Sequence, residues 1–185
     1  PLKYDPKKFD KPEKVKLITT STAERGTHVL LNSLTLVDAD FRLEVYNDFN
    51  PLDYPEYKPD PRIRFFGRTP KPTVIEAVEN SHIHSYPSIY PETFCLSQTE
   101  AMSAGLLCVT SDIGSLPEVS GGHTRIYPYE ADAQKHMRIY AEQLTKAIDD
   151  IKAGNWNPEE QIEFVNSEYS WDRARENWLK FHEEL

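Results

Sequence analysis

Apolar residues along this 185-residue chain fall into short runs that alternate with stretches at helical spacing. Val15–Thr20 is a compact apolar run and predicts a buried strand. Beyond Gly26, residues Val29, Leu30, Leu31, Leu34 and Val37 recur at helical spacing and predict a helix over Thr27–Val37. Phe41, Leu43 and Val45 alternate with polar residues, which predicts a second strand over Phe41–Tyr46. Residues 47–61 are rich in Asp and Tyr and hold four prolines, so they read as a long loop. The same reasoning places strands at Ile63–Phe66, Ile83–Tyr86, Leu106–Thr110 and Thr124–Tyr127. Helices are expected from Pro72 to Asn80, over Cys95–Ala104 and over Asp132–Ala153. After Pro158 the chain predicts two helical pieces broken near Tyr169–Ser170.

Strands thus alternate with helices. That order implies α/β architecture: a Rossmann-like, doubly wound parallel sheet of about six strands, with helices on both faces and further helices at the C-terminus. Residues 1–13, rich in Lys, Asp and Pro, read as an extended linker. Residues 14–168 read as the domain proper, and 169–185 as a terminal helix. Ligands of such sheets bind outside the carboxyl ends of the strands, where the strand order reverses.

Composition narrows the partners. The net charge of −9 argues against binding duplex nucleic acid and against docking on an anionic membrane. No apolar run approaches the roughly 20 residues that span a bilayer, so direct membrane insertion is not expected. Two cysteines, Cys95 and Cys108, are too few for a disulfide framework, and a reducing, cytoplasmic setting is the simpler expectation. The chain opens on Pro1 rather than Met, which suggests an excised fragment.

The informative block is Tyr86–Gly105, reading YPSIYPETFCLSQTEAMSAG. Physically it is a strand, a proline-stiffened loop and then a helix N-terminus. Free N–H groups and the positive end of the dipole at such a terminus suit a diphosphate or a sugar hydroxyl. Glu92 lies in the loop and Glu100 about two turns inside the helix, so the two carboxylates can reach different parts of one ligand.

Pro87-Ser88, then Glu92, seven intervening residues, Glu100-Ala101-Met102 and Ala104-Gly105, resembles the signature of the retaining GT-B glycosyltransferases of family 4. The stretch Val109–Val119, the early Glu24-Arg25-Gly26 and the late Tyr169-Ser170-Trp171-Asp172 are similar to other parts of the same pattern, in the same order. The resemblance covers roughly residues 15–185. It implies the donor-binding half of such an enzyme: a nucleotide-diphospho-sugar, UDP- or GDP-linked, as substrate, no metal or other cofactor, and a second domain supplying the acceptor site. The full enzyme would transfer a hexose-type sugar, and this chain alone would turn over little. A membrane-peripheral setting for that full-length enzyme remains compatible.

By resemblance, Glu92 is the catalytic-site carboxylate facing donor-sugar hydroxyls, and Glu100 accepts from the ribose. Backbone amides around Thr93, Phe94, Cys95 and Leu96 hold sugar and phosphate. Arg25, before Gly26, pairs with the diphosphate, and Gly67, Arg68 and Thr69 lie beside the base. Two departures stand out: Thr93 and Cys95 replace a glycine pair, and Thr19-Thr20 replaces a Gly-Arg. Arg62, Arg64, Arg68 and Lys71 are candidate substitutes for the missing cation.

Each residue also has a plainer reading. Glu92 could be a solvated loop carboxylate, Glu100 a solvated helix residue and Arg25 a surface arginine. Cys95 and Cys108 read as small apolar fillers. His82 and His84 lack a third ligand at metal spacing, and Asp38-Ala39-Asp40 reads as a turn. Trp156, Trp171 and Trp178 read as packing residues of the C-terminal helices. Two alternative functions share the scaffold: a sugar-nucleotide 2-epimerase-like enzyme and a non-catalytic interaction domain.

Overall fold

The computed structural model describes residues 2–54 and 57–184. Six strands form one parallel sheet: β1 Val15–Thr19, β2 Phe41–Val45, β3 Ile63–Phe65, β4 Ile83–Tyr86, β5 Leu107–Ser111 and β6 Arg125–Tyr127. Their spatial order is β3-β2-β1-β4-β5-β6. The order reverses between β1 and β4, which opens a crevice at their carboxyl ends. Seven α-helices accompany them among the described residues: α1 Thr27–Ser33, α2 Lys71–Glu79, α3 Leu96–Ser103, α4 Leu116–Ser120, α5 Ala133–Ala153, α6 Glu159–Glu168 and α7 Trp171–Glu183.

A parallel sheet needs cover on both faces, because its crossover helices fill both. Leu17, Leu43, Ile83, Leu107 and Val109 project to one side and join Leu30, Leu34, Tyr140, Leu144 and Ile148 of the α1 and α5 region. Ile18 and Cys108 project to the other and meet Val78, Ala101, Met102 and Val165. The alternation of Leu17 with Ile18 and of Leu107 with Cys108 is the period-2 pattern of a strand buried on both sides. Cys95 and Cys108 are both buried.

The first thirteen residues are not simply extended. Asp5 caps a 3-10 turn over Pro6–Phe9, and Phe9 packs into the core edge against the His82 ring. Lys8 Nζ donates to the carbonyls of Glu79 (3.1 Å) and Ala104 (2.7 Å), at the ends of α2 and α3. A cation suits those helix C-termini, where unpaired carbonyls gather. The loop at 47–61 is anchored by Phe49, which stacks on Tyr54 at 4.5 Å and meets Phe65. Pro55 and Glu56 of that loop lie outside the described residues, as do Pro1 and Leu185 of the terminal segments.

The tryptophans divide. Trp156 is partly buried against the core and donates from Nε1 to the Gly105 carbonyl at 2.9 Å. Trp171 and Trp178, expected to pack, are 92% and 63% exposed. They lie on α7, which buries no side chain within the described residues. Helix α4 was not expected; it is only five residues long, and Pro117 near its start breaks the apolar pattern.

Two imidazoles sit inside the sheet. His82 Nδ1 accepts from the Lys16 N–H at 2.8 Å, and Nε2 donates to the Lys8 carbonyl at 2.8 Å. His84 is fully enclosed, and neither ring nitrogen has a hydrogen-bond partner among the described residues. Burial depresses both pKa values from 6.5 to about 4. Below pH 6.5 the unfolded chain therefore takes up protons that the folded chain refuses, and stability falls as pH drops toward 4. Each ring contributes up to about 3 kcal/mol to that loss. Urea unfolding should show a clear fall in midpoint between pH 7 and pH 4.5, and a smaller fall in His84→Leu.

Candidate functional site

Glu92 is 5% exposed despite lying in a loop, so the reading of a solvated carboxylate does not hold. Three crossovers converge on it. Arg25, from the β1–α1 crossover, places Nη1 2.8 Å from both carboxylate oxygens. Tyr86, the last residue of β4, donates its hydroxyl to Oε1 at 2.5 Å. The β5–α4 crossover presses on the backbone: Ser115 N–H donates to the Glu92 carbonyl at 2.8 Å. A Cβ on Gly114 would come within 2.5 Å of the Glu92 nitrogen, so only glycine fits this approach.

Arg25 is itself fixed. Its guanidinium lies over the Tyr90 ring, 4.8 Å from the centroid. Burial disfavours its charge, but the Glu92 charge and hydrogen bonds outweigh that and hold its pKa above the ordinary value. Gly26 follows at φ +135°, and a Cβ there would meet the Pro87 carbonyl oxygen at 2.2 Å. The two crossovers can touch because residue 26 has no side chain. The Tyr86 phenol is pushed well up, first by burial and then by its bond to Glu92, and burial raises the Cys95 thiol.

Beside this cluster, at the same end of the sheet, lies a cleft of about 470 Å³. Arg68, Thr69, Leu96 and Glu100 line it, together with Thr20, Ser97 and Lys71. Glu100 forms an ion pair with Lys71, and Arg68 one with Asp48 at 2.9 Å. Thr69 Oγ1 is buried with no partner among the described residues. Of the residues singled out from the sequence, the cleft gathers Arg68, Thr69, Leu96 and Glu100, with Gly67 adjacent in the chain. Arg25, Gly26 and Glu92 form the neighbouring cluster, while Thr93 and Phe94 are exposed on the loop between them and Cys95 is buried. The β1–α1 crossover joins the two parts, since Thr20 and Thr22 line the cleft and Ser21 Oγ lies 2.9 Å from Ser97 Oγ.

Helix α3 begins at the seam. Its N-cap, Cys95, makes no capping bond, where Ser, Thr, Asp or Asn would satisfy a free N–H. The amides of Leu96 and Ser97 therefore carry no hydrogen bond among the described residues, while that of Gln98 is directed to the Cys95 sulfur, a weak acceptor. Of the cations proposed as substitutes, Arg62 is engaged elsewhere. It bonds the carbonyls of Leu34, Val37 and Ala39 and the Asp60 carboxylate. Lys71 and Arg68 do reach the cleft. The roles of Tyr86 and Lys71 were not legible as such; the available signals were a tyrosine ending a strand and a lysine opening a helix.

This sheet order, with acidic residues at the switch point and an uncapped helix start, defines an α/β domain of the GT-B half-domain type. The chain matches the family described as glycosyl transferases group 1 over residues 6–159, and it belongs to that family. It is 28% identical over 130 residues to a human relative, one of the subunits of phosphatidylinositol N-acetylglucosaminyltransferase, covering 70% of this chain and 26% of that protein. A glycosyltransferase from Rickettsia africae superposes with a TM-score of 0.76 at 16% identity, over 99% of this chain and 55% of the other. The Anabaena Alr3699/HepE protein in complex with UDP and glucose gives 0.68 at 15% identity, over 98% and 53%. The chain thus spans about half the length of the solved structures it matches and about a quarter of that human relative. No helix among the described residues is long and apolar enough to cross a membrane.

Removing one partner of a buried ion pair leaves a charge without compensation. Arg25→Met should therefore destabilise the fold by about 1–3 kcal/mol, reduced from the fully buried figure because Arg25 is partly exposed. Arg25→Met/Glu92→Gln should recover part of that loss. Urea melts of the double-mutant cycle measure the coupling, which should be clearly non-zero.

Proposed function

We propose that this chain is the donor-binding half of a retaining, metal-independent glycosyltransferase, and that it holds a UDP- or GDP-linked hexose at the carboxyl edge of its sheet. The observation that carries the reading is the placement of Glu92 and Glu100 on either side of the uncapped α3 start. The ribose diol would sit at Glu100, whose carboxylate can accept two adjacent hydroxyls. The base would lie towards Arg68 and Thr69. The diphosphate would take the free amides of Leu96 and Ser97, which a helix N-terminus offers to anions.

Arg25 then has two duties. Its Nη1 neutralises Glu92, while the rest of the guanidinium would serve the phosphate. That keeps a carboxylate and a diphosphate in one site without direct repulsion. As the bond from sugar C1 to the phosphate oxygen breaks, negative charge grows on the phosphate, where these fixed donors stabilise it. The acceptor oxygen bonds C1 from the same face, and its proton passes to the departing phosphate oxygen. The relatives named above support this reading: one carries a transferase name and another binds UDP and glucose.

The acceptor would be bound by a second domain. Trp178, Leu179 and Phe181 on α7 are exposed and apolar, which suits burial against that missing half. Transfer should accordingly be absent from this chain alone and return when the missing half is supplied in trans.

Calorimetric titration with UDP, GDP and ADP tests the binding claim. One nucleotide series should bind, and Glu100→Ala should weaken it by roughly tenfold, the worth of a hydrogen bond to a charged group. Equal affinity in Glu100→Ala would remove the ribose assignment.

A further inference from the structure

The Glu92 carboxylate offers about four acceptor positions, two on each oxygen. Oε1 receives Tyr86 Oη at 2.5 Å and Arg25 Nη1 at 2.8 Å, so both its positions are taken. Oε2 receives Arg25 Nη1 at 2.8 Å, and one position stays open. The group cannot easily turn to exchange the two oxygens. Its backbone is gripped by Gly114 and Ser115, and the Arg25 guanidinium is held on Tyr90. Tyr86 is 2% exposed and wedged beside Cys95 and Leu116, so its ring position is set by packing. Its hydroxyl donates to Glu92.

We infer that Tyr86 is a positioning residue for the donor sugar: by occupying Oε1 it leaves Glu92 a single open acceptor, on Oε2, which takes one sugar hydroxyl. This rests on the donor-site reading above. It deepens that reading by making sugar recognition at Glu92 single-point and directional. The ring of Tyr86 serves the fold, and the hydroxyl serves the sugar. Phenylalanine at this position would keep the packing and free Oε1, and the carboxylate could then rotate away from the hydroxyl it faces.

The test compares the binding of UDP with UDP-glucose and UDP-N-acetylglucosamine, and of GDP with GDP-mannose, by calorimetry on the wild-type chain and Tyr86→Phe, with melting curves alongside. The readout is the sugar increment, the ratio of affinities for the nucleotide with and without its sugar. Tyr86→Phe should lower that increment roughly tenfold while nucleotide affinity stays within about twofold. Should Tyr86→Phe fail to fold, Tyr86→Met gives the same reading, because it also removes the hydroxyl while a flexible apolar side chain fills the pocket and Glu92 is untouched. An unchanged increment in a folded variant overturns the inference and leaves the donor site standing. Parallel loss of nucleotide and sugar binding assigns Tyr86 a purely structural role and also overturns it. Failure of the wild-type chain to bind any of these nucleotides overturns the donor-site reading, and the inference with it.

Discussion

A carboxylate stays charged inside a protein only if its neighbours replace the water it has lost. Glu92 meets that condition with the Arg25 guanidinium and the Tyr86 hydroxyl, while the Ser115 amide holds its backbone carbonyl. One buried residue thereby ties the β1–α1, β4–α3 and β5–α4 connections to one another, by its carboxylate and by its backbone, at the point where the strand order reverses. The glycines follow from the same constraint. Residue 26 must let the first crossover touch Pro87, and residue 114 must let the third touch Glu92. The loops of a parallel sheet would otherwise be its most variable parts. Here they are held at one end by an ion pair and its hydrogen bonds.

The charge layout is compatible with the proposed anion site in a chain of net charge −9. Its acidic groups near the switch point are already matched: Glu92 by Arg25, Glu100 by Lys71 and Asp48 by Arg68. Among the described residues, the Leu96 and Ser97 amides that open α3 remain without an acceptor at the seam. Overall charge sets long-range behaviour, whereas local dipoles and amides decide what binds. The hydroxyl-lined turn at Thr20–Thr22 takes the place of a basic one, so the site relies on neutral donors more than on cations.

Much of this was legible in the chain. Every strand was placed within a residue or so of its observed bounds, because the central strands leave dense apolar runs and β2 a clean alternation that few loops imitate. The Glu92–Glu100 block was legible because its order of residue types is unusual. Pairing was not: nothing in periodicity links Arg25 to Glu92, 67 residues away, so Arg25 looked like a cation free for phosphate. Nor does periodicity tell which aromatic residues find a partner. Trp156 met Gly105, while Trp171 and Trp178 stay open. Helix α4 was too short for a helical repeat to register, and the 3-10 turn at Pro6–Phe9 was hidden by a polar, proline-containing composition.

The claim at the centre of this account is that the amino end of α3 receives the diphosphate of a nucleotide sugar. Amide hydrogen exchange resolved to single residues addresses it directly, with and without saturating UDP-glucose or GDP-mannose. Slowed exchange at Leu96 and Ser97 is the predicted result, since a bound phosphate would give those amides their missing acceptor. Protection elsewhere with those two unchanged would contradict it.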